Sequence, residues 1–222
     1  MNVIRLACIS LLLLPLAACA STAAPRAQPW DNARQLIVVA TADWNAPTGT
    51  LRAYERVGGS WRETTPGFTV NVGRNGSGWG LGLHDARDQD AGPVKREGDG
   101  RAPAGVFAIG TAFGYAPQIS TGLAYQAMRA NDWCIDVPDS PLYNRIVDRS
   151  LAKAPGLDQA SEPMRRDLQP KPDDLYKLGF VIDHNARAMP RGGSCIFAHV
   201  QRGTDMPTAG CTSMPEDALG GL

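Results

Sequence analysis

Between Gln35 and about Gly114 the chain is a succession of short runs rich in Val, Ile, Phe and Thr, broken by turn pairs such as Gly58-Gly59, Pro66-Gly67 and Asn75-Gly76. That alternation is how half-buried strands and hairpins read, and it leaves little room for long helices. Strands are expected over Leu36–Ala42, Thr50–Val57, Phe68–Gly73 and Val106–Phe113, and again over Leu178–Asp183 and Cys195–Gln201. From about Ser140 to Asp174 the sequence is polar and Pro-containing, with room for short peripheral helices, one beginning near Ser161. Ser213-x-x-Glu216 has the form of a capping box and predicts a helix just after Cys211. The fold class expected is mainly β, as one domain over 35–222.

Upstream of that domain, Arg5 precedes an apolar run from Leu6 to Ala18, too short to span a bilayer and followed by small residues. Residues 1–18 read as a secretory signal peptide. Leu16-Ala17-Ala18-Cys19 resembles the bacterial lipobox, which makes Cys19 the lipidated N-terminus of the mature chain. Ordinary cleavage a few residues later is the alternative, because Thr22-Ala23-Ala24 is also a small-residue site. Residues 19–34, interrupted by Pro25 and Pro29, read as a flexible tether reaching roughly 40 Å from a membrane leaflet. The expected location is the periplasm, on the inner leaflet of the outer membrane since Ala20 rather than Asp follows Cys19, with the lipid as the sole membrane contact. The whole chain carries 22 basic and 22 acidic side chains. That balance gives no electrostatic footprint for nucleic acid, and none is expected as a partner.

With Cys8 removed and Cys19 acylated, Cys134, Cys195 and Cys211 remain in an oxidising compartment, and three cannot all pair. Cys134 in Trp133-Cys134-Ile135 and Cys195 in Cys195-Ile196-Phe197 have apolar flanks, so a Cys134–Cys195 bridge is expected, with two unpaired core thiols as the alternative. Cys211 sits in the turn-rich Pro207-Thr208-Ala209-Gly210-Cys211-Thr212, which presents a thiol at a cleft.

His199 is the natural partner of that thiol. On a strand, Cys195, Phe197 and His199 face one way. The loop through Gly203, Pro207 and Gly210 returns Cys211 towards the imidazole. An adjacent imidazole can accept the thiol proton and support a nucleophile at neutral pH. On this reading the thiol is activated below the usual range, helped by the helix opening at Ser213, with amides from Gly210 to Thr212 as an oxyanion hole. Cys195 is a poor rival nucleophile, because four strand residues, roughly 13 Å, separate it from His199. Arg145 and His184 are secondary candidates for holding a substrate, by a carboxylate fork and as a cleft-lining ring respectively. The histidines lack the spacing of a zinc site. The Gly78–Leu83 run before His84 lacks the strand-to-helix context of a nucleotide loop.

Gly193-Ser194-Cys195-Ile196-Phe197-Ala198-His199-Val200 followed by Pro207-Thr208-Ala209-Gly210-Cys211 resembles the active-site segment of the L,D-transpeptidase (YkuD-like) family. Lys95-Arg96-Glu97-Gly98-Asp99-Gly100-Arg101-Ala102-Pro103-Ala104-Gly105-Val106-Phe107 is similar to that family's K-x-x-G-D-x-x-T-P-x-G-x-F element. Two matches in order, about ninety residues apart, are more specific than either alone. The resemblance is to a divergent subgroup: Ala209 stands where S/T-H-G-C motifs carry a second histidine, and Thr212-Ser213 replace the usual apolar-Arg pair.

The resemblance implies a β-sandwich enzyme that acts on peptidoglycan stem peptides. Cys211 would be the nucleophile, His199 the base and then the acid, and Gly210 part of the oxyanion hole, with Thr212 beside the substrate. The acyl transfer needs no metal or cofactor, because thiol and imidazole supply nucleophile and proton shuttle. Two alternatives stay open: a hydrolase with the same Cys-His pair, acting as L,D-carboxypeptidase or amidase, and a non-catalytic wall-binding lipoprotein.

Overall fold

The computed structural model describes residues 26–222. The signal peptide, the Cys19 lipidation site and the first part of the tether fall on residues 1–25 and lie outside the described residues.

In chain order the strands are β1 (Gln35–Thr41), β2 (Thr48–Val57), β3 (Ser60–Asn71), β4 (Ser77–Trp79), β5 (Ala102–Ala104), β6 (Ile109–Gly114), β7 (Tyr125–Ala127), β8 (Asp132–Cys134), β9 (Ile146–Asp148), β10 (Glu162–Pro163), β11 (Leu178–Ile182), β12 (Phe197–Val200) and β13 (Thr212–Met214). The fold is mainly β. Eight strands form one sheet in the order β1-β2-β3-β13-β12-β11-β6-β7, with β10-β8-β9 and β4-β5 as smaller sheets. The β2–β3 hairpin closes through Gly58 and Gly59, both at positive φ, between the paired residues Val57 and Ser60. Two such residues in a two-residue loop match the twist of the flanking strands.

Residues of β1 and of β6 and β11 line one apolar groove of about 640 Å³, so the sheet curls and brings distant strands face to face. Leu51, Val70, Val72, Ala198 and Met214 form the core on that side. On the other face of β12 and β13, Phe113, Tyr176, Phe197, Cys195 and Cys211 form a second core. The main sheet thus separates an apolar groove from a mixed polar cleft.

Three expectations need correction. No helix begins near Ser161: Glu162–Pro163 is a strand paired with β8, and the short helical turns flank it at Leu157–Gln159 and Arg166–Leu168. The strand placed at Val106–Phe113 begins only at Ile109, because the preceding residues run along the Leu81–His84 loop, with the Leu83 amide donating to the Val106 carbonyl at 2.7 Å. No helix opens at Ser213. Thr212–Met214 is a strand, and the one α-helix among the described residues, α1 (Glu216–Gly220), starts after Pro215 with no side-chain cap. Pro is well suited to a helix start, and the ladder with His199 holds Ser213 extended, so the capping box does not form.

Candidate active site

β12 and β13 run parallel, with Ala198 paired to Thr212, His199 to Ser213 and Val200 to Met214. Strand alternation then decides which side chains meet. His199, Cys211 and Ser213 line one cleft of about 460 Å³, whereas Ala198, Thr212 and Met214 face the apolar groove behind it. Cys211 lies one position before β13, diagonal to His199. Ladder geometry puts such pairs about 7–8 Å apart between backbones, within reach of an imidazole.

The two stretches that carry the family resemblance converge here, since Lys95, Glu97 and Gly98 line the same cleft as Ser194 and the 207–211 segment. Lys95 is buried and bonds Asp99 Oδ1 through Nζ at 2.6 Å. Burial pushes the Asp99 carboxyl up, but the Lys95 ammonium and the Arg101 and Arg96 amides outweigh it and hold the group below its usual range. Glu97 accepts hydrogen bonds from Tyr143 and, at 2.7 Å, from Ser194 Oγ, which ties this loop to the segment entering β12.

Cys134 and Cys195 form a disulfide, and Cys211 is the free cysteine among the described residues. The bridge removes Cys195 as a nucleophile. Cys195 stands at φ +56°, a left-handed conformation rare for side chains with a Cβ, held by the bridge and by Asn144 Oδ1 accepting its amide at 2.8 Å. The Cys195 carbonyl thereby reaches Cys211, whose Sγ donates to it at 3.5 Å and accepts from the Phe197 amide at 3.4 Å.

His199 Nδ1 lies 2.8 Å from the Val200 carbonyl oxygen. A carbonyl only accepts, so Nδ1 carries the proton and Nε2 keeps a free lone pair, the tautomer a general base needs. The Tyr176 ring stands edge-on to His199 at 5.2 Å, and its hydroxyl donates to Glu162 Oε1 at 2.8 Å. Arg166 bridges Glu162 to Asp173 in turn.

Electrostatically, the pair rests neutral. Burial pushes the Cys211 thiol up to about 12, reinforced by the Glu162 carboxylate, and burial pulls the His199 imidazole down to about 4. This runs against the expectation of a preformed low-pKa thiolate, because the helix starts only at Glu216, beyond β13, and the sulfur lies in a core cluster. No hydrogen bond joins Nε2 to Sγ among the described residues; catalytic bonds of this kind often tighten only with substrate bound.

The remaining candidates separate clearly. Gly210 lines the cleft where an added Cβ would meet the Arg101 carbonyl at 3.0 Å, but its amide donates to Thr208 Oγ1 at 3.0 Å and is not free to act as an oxyanion donor. Thr212 points its side chain to the apolar groove, so it does not touch a ligand in the cleft. His184 is buried with both ring nitrogens used: Nδ1 accepts the Leu81 amide and Nε2 donates to the Gly192 carbonyl. Arg145 is exposed in the turn before β9 and does not line the cleft. Sequence reasoning missed Tyr176, Glu162, Arg166 and Ser213. None of them carried a sequence signal for this cleft; Ser213 enters it through the pairing of β13 with β12, which its capping-box sequence does not announce.

Among the described residues, no group of three or more His, Cys, Asp or Glu side chains is arranged to hold a metal ion. Comparison with protein-family models, with curated proteins and with solved structures finds no match.

Proposed function

We propose that this chain is a peptidoglycan L,D-transpeptidase of the YkuD-like type, built on that family's β-sandwich and carried to the periplasm on a lipid-anchored tether. The observation that carries the reading is an unpaired Cys211 diagonal to a neutral His199, with Nδ1 held by the Val200 carbonyl, in a cleft lined by both family-like stretches. A neutral thiol and a neutral imidazole favour attack in which the proton leaves sulfur as the new bond forms.

In the reaction proposed, Cys211 Sγ attacks the carbonyl before the terminal D-residue of a stem tetrapeptide and its proton passes to His199 Nε2. Collapse breaks the peptide bond, the departing amine takes that proton, and a thioester remains on Cys211. An amine from a neighbouring stem attacks the thioester, gives its proton to His199 and leaves as a cross-linked peptide, while the sulfur is reprotonated. Water in place of that amine would make the same site an L,D-carboxypeptidase or amidase.

Incubating the mature protein with purified tetrapeptide muropeptides separates these outcomes by mass spectrometry. Cross-linked dimers are expected. Shortened monomers alone establish hydrolysis instead, and unchanged muropeptides contradict both.

A further inference from the structure

Among the described residues, Ser213 Oγ is the one buried side-chain polar atom without a hydrogen-bond partner. Its residue is 1% exposed, faces the cleft and is the ladder partner of His199. Every other hydroxyl around the sulfur is engaged. Tyr176 donates to Glu162, Ser194 to Glu97, Ser161 to Asp136 and Thr208 to the Cys211 carbonyl. The Gly210 amide, one of the donors expected from sequence, is bonded to Thr208. A buried hydroxyl with no protein partner beside a nucleophile is a donor in search of an acceptor.

We infer that the Ser213 hydroxyl is an oxyanion donor of this site, hydrogen-bonding the carbonyl oxygen of the acyl donor as Cys211 attacks it. The inference rests on the acyl-transfer reading of the cleft. Spacing supports it. In the tetrahedral adduct the oxyanion lies roughly 2.7 Å from sulfur, and a donor belongs about 2.8 Å beyond it, so sulfur and donor suit a separation of roughly 5.5 Å. Two residues along an extended chain span about 6.6 Å, close to that separation, and both residues line the same cleft. The hydroxyl proton stays on Ser213 throughout; the only proton transferred goes from Cys211 to His199.

The test compares wild type with Ser213→Ala on two reactions of Cys211, each followed by the mass of the Cys211 peptide. Acylation, by a stem tetrapeptide and by p-nitrophenyl acetate, develops an oxyanion; alkylation by iodoacetamide does not. Acylation about 100-fold slower in Ser213→Ala, with alkylation and melting temperature unchanged, is the expected result. Equal acylation rates, or acylation and alkylation falling together, overturn the assignment. Acylation by the ester but not the tetrapeptide overturns the peptidoglycan reading alone, and Ser213 is then judged on the ester. A wild-type sulfur that accepts neither acyl group overturns both. Ser213→Thr, which keeps a hydroxyl, is expected to recover acylation at least tenfold over the alanine variant, and no recovery counts against the inference.

Discussion

At the scale of single residues, the proposed chemistry needs two neutral groups, His199 and Cys211, that would exchange a proton only with substrate bound. Burial holds the His199 imidazole down to about 4, so the base form is present throughout the neutral range. The acid limb of kcat/KM for acyl transfer is therefore expected near pH 4, well below the range of an ordinary histidine, and a limb near 6.5 would show that His199 is not the free-enzyme base. Burial also holds the Cys211 thiol protonated. Iodoacetamide should accordingly alkylate Cys211 more slowly at pH 7 than a free cysteine, and the rate should still be rising at pH 10; fast alkylation with a plateau below pH 8 would contradict the neutral pair. A protonated, buried sulfur also resists oxidation. His199 and Cys211 were legible in the sequence because a strand-end histidine and a glycine-preceded cysteine form a local pattern. The side-chain directions of Thr212 and Ser213 were not, because they depend on a pairing register with a strand fourteen residues upstream.

At the scale of elements, the site depends on two supports. One is the Lys95–Asp99 pair, in which the Lys95 side chain is 3% exposed. Asp99→Ala leaves an uncompensated buried ammonium and should cost about 3–5 kcal/mol in urea unfolding, whereas a change below about 1 kcal/mol would mean that the loop relaxes to solvate Lys95. The other is the Cys134–Cys195 bridge, which closes a separation of 61 residues between the small sheet and the entry to β12. Chain-entropy arguments give such a loop about 4 kcal/mol. Replacing both cysteines by alanine should lower stability by about that amount and slow acylation, since the Cys195 carbonyl contacts the sulfur; unaltered acylation would show that this contact is incidental. The first arm of the long hairpin and its Gly-Gly turn were readable, but its second arm begins at Ser60 rather than at the expected Phe68, because the polar stretch between is made a strand by its pairing with β2. The three-residue strands β8, β9 and β13 were not, because non-local pairing rather than their own composition makes them strands. The helix expected at Ser213 failed for the same reason: a parallel ladder overrode a local capping signal.

At the scale of the whole molecule, the curled sheet carries the candidate site's side chains on one face and the apolar groove on the other, and its core holds two histidines as neutral rings. His184 and His199 are each pulled down to about 4, chiefly by burial. Their charged forms are disfavoured in the fold, so the stability they support is complete above the unfolded value of about 6.5 and is lost as pH falls through 4. Each shift corresponds to roughly 3 kcal/mol. Glu162, whose carboxyl burial raises, opposes the trend by taking up a proton in the native state. With two histidines against one acid, urea unfolding should show stability falling between pH 6.5 and 4; stability flat across that window would place the imidazoles in solvent. The mainly β class was legible because turn pairs and β-branched runs recur along the chain. The cleft was legible only in outline, through two sequence stretches whose meeting requires the fold.

Acylation of Cys211 is read from the intact mass of the protein after brief exposure to a stem tetrapeptide without an acceptor amine. A covalent adduct equal to the tripeptide acyl group, located on Cys211, labile to hydroxylamine and missing in Cys211→Ala, is the predicted result. An unmodified protein, or an adduct that persists in Cys211→Ala, would contradict it.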